Sequence, residues 1–227
     1  MSFLEILEKM GIYFIKYWKV FLLKGVGYTL VLSLITICVG AVIGALFALA
    51  KISKLKPLSG IVGAIVEVVR GTPLLLQLYV GYFLVPMLLP FLELSAFTCI
   101  AVALSLNSAA YVSEVIRSGI EAVDKGQSEA ARSLGLNAKT TMINIVLPQA
   151  VKNILPALGN EFITIIKETS LASTFFVGEL MTSYLVVKGT TYDPLPTLMI
   201  VGVIYFVLTF ALSKVMKLFE KRMKAHA

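Results

Sequence analysis

The sequence predicts an all-α, polytopic membrane protein, and three observations carry that expectation. Hydrophobic residues make up 58% of the 227 residues and charged residues only 15%, against roughly a quarter charged in soluble domains. The mean hydropathy is +0.91. Charge-free runs cover Val26 to Ala50, Gly71 to Leu92, Leu94 to Ser113 and Pro194 to Ser213. Each is long enough to cross a bilayer core, which takes roughly 20 apolar residues in a helix.

At the N-terminus, Phe3, Leu7, Met10, Phe14 and Trp18 recur at helical spacing, while Glu5, Lys9, Lys16 and Lys19 fall mostly elsewhere. This predicts an amphipathic helix over residues 1–22 lying at the membrane interface, with Tyr13, Tyr17 and Trp18 suited to the headgroup zone. Its charges interrupt every apolar run, unlike a signal peptide. The first span follows over about Lys24 to Ala50. Its Gly40 and Gly44 let another helix approach closely, within the chain or from a second copy. Lys51, Lys54 and Lys56 mark a short basic loop.

The second apolar region, Pro57 to Leu92, is too long for one straight crossing. Arg70-Gly71-Thr72-Pro73 interrupts it, because proline removes a helical hydrogen bond and disfavours helix in the residue before it. A broken helix that still crosses once is expected. A third span runs from about Glu93 to Arg117, a polar insert from Ser118 to about Val151, and a fourth span from there. Thr169 to Val187 reads as a re-entrant or outer-face helix, and Pro194 to Ser213 as the fifth span. With five spans, thirteen Lys and Arg residues fall on the side of the 51–56 loop, the insert and the C-terminus, against five on the other. A sixth span would weaken that contrast. Positive charge accumulates on the cytoplasmic side, so the N-terminus is expected outside and the C-terminus inside.

Composition excludes several functions. The net charge of +7 is explained by topology, and no basic face interleaved with aromatics points to nucleic acid. Cys38 and Cys99 lie inside spans as small apolar residues. With His226 the only histidine, there is no ligand set for a metal and no Cys/His nucleophile pair. No phosphate-binding loop occurs, so ATP is not hydrolysed by that route in this chain. A membrane enzyme lacks positioned titratable pairs. A secondary transporter would show internal repeats, and a channel a filter; neither is visible.

The insert carries the most specific pattern. Asp124 with Gln127 has the form of a capping box opening a helix through Leu134. Gly135 suits the left-handed residue that ends it, and Asn137 caps the next. Met142, Ile145 and Val146 continue as an apolar stripe, and Pro148 stiffens the exit. Two short helices joined at a glycine make a compact elbow; any long loop can also fold into an amphipathic hairpin. The spacing E-A-A-x3-G-x9-I-x-L-P, met by Glu129, Ala130, Ala131, Gly135, Ile145, Leu147 and Pro148, resembles the signature loop of permease subunits of binding-protein-dependent ABC importers. Arg70 to Leu78, Leu147 to Ala150 with Gly159 to Phe162, and Lys167 to Ser173 are similar to the polar amino acid branch, the histidine/arginine/glutamine permeases. The resemblance spans about residues 20–220.

That resemblance implies a type I ABC importer permease fold over 1–227, with 118–151 as a cytoplasmic coupling loop docking into an ATPase. Glu129 would offer a carboxylate, Ala130 and Ala131 close approach, and Gly135 the bend, with Leu136 beside it. It also implies two ATP-binding cassette subunits carrying ATP and Mg, a second permease (a copy or a paralogue) and an extracytoplasmic amino-acid-binding protein. The location would be a prokaryotic inner membrane. This chain itself would hold no cofactor.

Charges at the bilayer centre cost about 2.5–3.5 kcal/mol on insertion scales, so each needs a partner or a purpose. Glu67 and Arg70, three apart, can neutralise each other. Glu161, ten residues into the fourth span, sits about 15 Å deep, flanked by Asn160 and Thr164. It suits either a hydrogen bond between helices or a carboxylate lining a cavity, which would favour a cationic amino acid such as arginine, histidine or lysine. The break at Gly71 can offer backbone N–H groups to a carboxylate, with Thr72 and Arg70 adding a hydroxyl and a charge. Asn107, Ser108 and Tyr111 add polar atoms on one face, for substrate or for packing. Glutamine, glutamate or another polar amino acid is the alternative cargo.

Overall fold

The computed structural model describes residues 2–53 and 55–225 and, among them, contains helices and no strand. Lys54 and His226 lie outside the described residues. Helix α1 (Phe3–Trp18) opens with a capping box. Ser2 accepts from the Glu5 N–H, and the Glu5 carboxylate accepts from the Ser2 N–H. After a kink at Tyr17, α1 continues through a π-helical segment, Lys19–Val26, into α2 (Gly27–Ile52). Then come α3 (Lys56–Arg70), α4 (Leu74–Leu88), α5 (Ala96–Glu121), α6 (Lys125–Ser133) and α7 (Ala138–Thr141). A second π segment, Met142–Val146, leads into α8 (Leu147–Glu168), followed by a 3-10 stretch (Thr169–Phe175), α9 (Leu180–Thr191) and α10 (Pro194–Ala225).

Phe3–Ile52, Ala96–Glu121 and Pro194–Met223 can each cross a membrane by length and composition. Two broken pairs, α3 with α4 and the helix through Phe175 with α9, raise the number to as many as five. Of the long helices α5 is the most enclosed, with 67% of its apolar window buried against 22% for α10. The apolar surface of α10 suits lipid, since packing between spans relies on close contact rather than on hiding from water.

The described chain forms two compact units. The first takes the chain up to Ile37, Pro73–Ser105 and Phe162–Ser213; the second takes Cys38–Thr72, Leu106–Glu161 and the chain from Lys214 onward. In the first unit, one core joins Leu32, Leu78, Ile100, Leu104 and Val177, and another joins Phe21, Leu180, Val187, Ile200 and Val201. The π segment belongs to this unit. Within it the Val20 carbonyl accepts from the Ser183 hydroxyl at 3.0 Å, a neighbour's side chain bonding to the wider turn. Gly25 permits that approach, because a Cβ there would lie 2.7 Å from Ser183 Oγ. Lys9 and Tyr13 of α1 both donate to Asp193, at 2.7 and 2.6 Å. The expected N-terminal helix is therefore tied to the α9–α10 turn and is continuous with the first span.

In the second unit, Val62, Val66 and Ala110 form one core, and Val123, Val146, Ala150 and Ile154 form another. A Cβ at Gly44 would come within 2.8 Å of the Ala109 carbonyl and of Val112. Gly44 thus serves packing within the chain.

Candidate functional site

The elbow forms much as its residues dictate. Asp124 caps α6, but its carboxylate accepts from the Gly126 N–H at 2.6 Å rather than closing a box with Gln127. Gly135 adopts φ +84°. The Leu136 N–H donates to the Ala131 carbonyl and the Gly135 N–H to the Arg132 carbonyl, the paired bonds of a glycine-terminated helix. Asn137 caps α7 by accepting from the Thr140 N–H at 2.9 Å. The second arm is not a separate short helix: α7 runs through the π segment into α8, so the elbow is rigidly joined to a long helix.

Glu129 and Ala130 are exposed, whereas Ala131 is 2% exposed and buried in the chain's own fold. Of the two alanines, only Ala130 is presented for close approach. Leu134, 84% exposed at the tip, went unmarked in the sequence because it looks like the last apolar residue of the helix face. Met142 lies exposed, Val146 is buried and Leu136 is half-buried.

A charged cavity lies in the same unit. Arg70, Tyr111, Glu114, Val115, Ser118, Gly119, Ala122, Asn153 and Ala157 line a recess of about 390 Å³. Glu114 on α5 is bonded by Lys51 from α2 and by Arg117 at 2.8 Å, with Arg70 of α3 at 3.7 Å. Arg117 also holds Glu121, at 2.6 Å. The Arg70 guanidinium lies over the Tyr111 ring, 5.6 Å from its centroid. Arg70 therefore pairs with Glu114 rather than with Glu67, which is exposed.

The remaining path residues divide. Gly71 and Thr72 close α3: the Gly71 N–H donates to the Glu67 carbonyl at 2.8 Å, and the Thr72 hydroxyl to the Val68 carbonyl at 2.9 Å. The Gly71 N–H and the Thr72 hydroxyl thus turn back into the end of α3, while across the break α4 opens at Pro73 without a side-chain cap. Asn107 is buried, 5% exposed, while Tyr111 on the same helix reaches the recess. On α8, Asn160 is exposed and Glu161 half-buried. Asn153 and Ala157 line the recess, and Glu161 continues their i, i+4 stripe one turn on, about 6 Å further. Thr164 is half-buried and belongs to the first unit.

These features define a multi-pass helical membrane protein with a folded polar elbow. Residues 40–225 match the family described as binding-protein-dependent transport system inner membrane component, and the chain belongs to that family. It is similar to the arginine transport system permease protein ArtQ of Bacillus subtilis (strain 168), 43% identical over 91% of this chain and 94% of that one. It is also similar to a putative glutamine transport system permease protein, GlnP, of Rickettsia bellii (strain RML369-C), 41% identical over 89% and 93%. A crystal structure of an amino acid ABC transporter with histidines matches at 41% identity with a TM-score of 0.87, covering 93% of this chain and 97% of that one. The fold is that of a type I ABC importer permease, as the resemblance implied. The chain is the membrane permease component, and ATP hydrolysis belongs to separate subunits.

Proposed function

We propose that this permease moves a cationic amino acid, of the class of arginine, histidine and lysine, into the cytoplasm by alternating access. The observation that carries the reading is the stripe Asn153, Ala157 and Glu161, which leads from the cavity wall to a carboxylate able to attract an ammonium or guanidinium group. The near full-length likeness to a permease named for arginine supports it. The second reading, glutamine or another polar amino acid, is favoured by the likeness to a permease named for glutamine.

In this reading the elbow docks on an ATPase through Glu129, Ala130, Leu136 and the bend at Gly135, and the exposed Leu134 joins that contact. Two ATPases carrying ATP and Mg, a second permease and an extracytoplasmic binding protein complete the transporter. The elbow and C-terminus face the cytoplasm and the N-terminus the outside. ATP-driven closure of the ATPases pulls the elbow, and its continuity with α8 conveys that displacement to the helix bearing Glu161. Uptake by the reconstituted transporter tests the cargo. Glu161→Gln is expected to lower uptake of arginine and lysine at least about tenfold, the scale of a lost charged hydrogen bond, while sparing glutamine. Equal loss for every substrate assigns Glu161 to packing and refutes the cationic reading.

A further inference from the structure

The cluster around Glu114 holds more positive charge than a structural ion pair needs. Lys51, Arg70 and Arg117 bring three cations to two carboxylates, Glu114 and Glu121. The three cations are not equally held. Lys51 and Arg117 bond Glu114 directly, and their side chains are 18% and 34% exposed. Arg70 stands off at 3.7 Å with its side chain 42% exposed, and its guanidinium rests on the Tyr111 face at the wall of the recess. A guanidinium presents a planar fork of donors suited to a carboxylate. At 3.7 Å that fork is not engaged by Glu114, since a hydrogen bond needs an approach nearer 3 Å.

We propose that Arg70, seated on Tyr111, binds the α-carboxylate of the transported amino acid in this recess, with Glu114 as its exchangeable counter-ion. On arrival the substrate carboxylate takes the Arg70 fork. Glu114 keeps Lys51 and Arg117, so no buried carboxylate is left unpaired. On release Arg70 returns to Glu114, which competes for the same fork and so limits how tightly the substrate is held. The recess already carries the cation that an incoming anion requires, and the redundant pairing stops that cation collapsing onto its neighbour. The inference rests on the amino acid reading given above and adds the group that reads the carboxylate end, with Glu161 further along α8 for the other end.

The test uses the purified permease–ATPase complex without the binding protein, so that only the membrane recess is read. Radiolabelled L-arginine binding is competed with L-arginine and with L-argininamide, which keeps the guanidinium and lacks the carboxylate. The wild-type complex is expected to prefer the acid at least about tenfold. Arg70→Gln should bring acid and amide together, and Arg70→Lys should keep part of the preference. Glu114→Gln should tighten the acid several-fold and leave the amide unchanged, a gain that a structural role for Glu114 would not produce. Three results each overturn the proposal: no saturable binding to the wild-type complex, equal competition by acid and amide, or an acid preference that survives Arg70→Gln. If Arg70→Gln fails to assemble, the wild-type ratio and the Glu114→Gln shift still decide. Failure of the cargo reading looks different: the intact wild-type transporter would import no cationic amino acid at all.

Discussion

Two largely buried carboxylates, Glu114 and Glu179, are satisfied in opposite ways. Glu114 is surrounded by cations from three helices, one of them loosely held. Glu179, 0% exposed, is surrounded by neutral donors. It caps α9 by accepting from the N–H groups of Met181 and Thr182 at 2.6 and 2.7 Å. It also accepts from the Thr182 hydroxyl at 2.9 Å and the Tyr205 hydroxyl at 3.0 Å. Four donors fixed by one helix terminus and one facing tyrosine leave nothing to exchange. Beside them the Leu180 N–H donates to Thr29 Oγ1, so this corner joins α2, α9 and α10. Neutral, saturated bonding builds a joint; surplus charge with one long contact builds a receptor.

The largest effect should come from breaking the joint. Glu179→Ala orphans several buried donors, each costing about 1–3 kcal/mol, so the variant should fail to yield assembled protein on gel filtration. Glu179→Gln keeps an acceptor for part of the set and should assemble with reduced thermal stability. Wild-type stability in Glu179→Ala would contradict the comparison. Next in size is the receptor. Glu114→Gln should assemble, lose some thermal stability because Lys51 and Arg117 lose their shared counter-charge, and change selectivity, which the Glu179 variants should not do. A large stability loss with unchanged selectivity would make the two carboxylates alike.

The smallest effect belongs to the exposed clamp of Lys9 and Tyr13 on Asp193. Hydrogen bonds from Lys9 and then Tyr13 hold the Asp193 carboxyl below its ordinary value. A depressed carboxylate contributes stability above its unfolded value, about 3.9, and loses it as pH falls through the lower folded value. The clamp should therefore be indifferent to pH between 5 and 8. Asp193→Asn should lower the melting temperature slightly there and flatten the acid limb of the stability curve, read by thermal unfolding. A clamp that weakens between pH 8 and 5 would contradict the assignment.

The apolar runs, the break at Gly71 and the elbow caps at Asp124, Gly135 and Asn137 were legible because each is a local signal. Span length, proline chemistry and a left-handed glycine need only neighbours in the chain. The Lys51–Glu114 pair was not legible. Lys51 reads as a loop cation and Glu114 as a charge near the end of a span, and 63 residues separate them. Periodicity tells which face a residue occupies but not which helix meets it. The π segments escaped for a similar reason. The Val20 carbonyl in the first of them meets Ser183, 163 positions away, and nothing local in Lys19 to Val26 announces it. At the same break the Gly71 N–H and the Thr72 hydroxyl close back onto α3, a detail that proline chemistry alone does not announce.

In the proposed mechanism an ATPase drives this permease through the elbow at Gly135. A Cβ at Gly135 meets nothing within 4 Å, so substitution acts through its φ of +84°, costing a side-chain-bearing residue about 1–2 kcal/mol. Asparagine tolerates that region and valine does not. The decisive measurement is ATP hydrolysed per amino acid imported by the reconstituted transporter carrying Gly135→Val or Gly135→Asn. Hydrolysis with little import is expected for valine, and near wild-type coupling for asparagine. Wild-type import per ATP in the valine variant would contradict that mechanism.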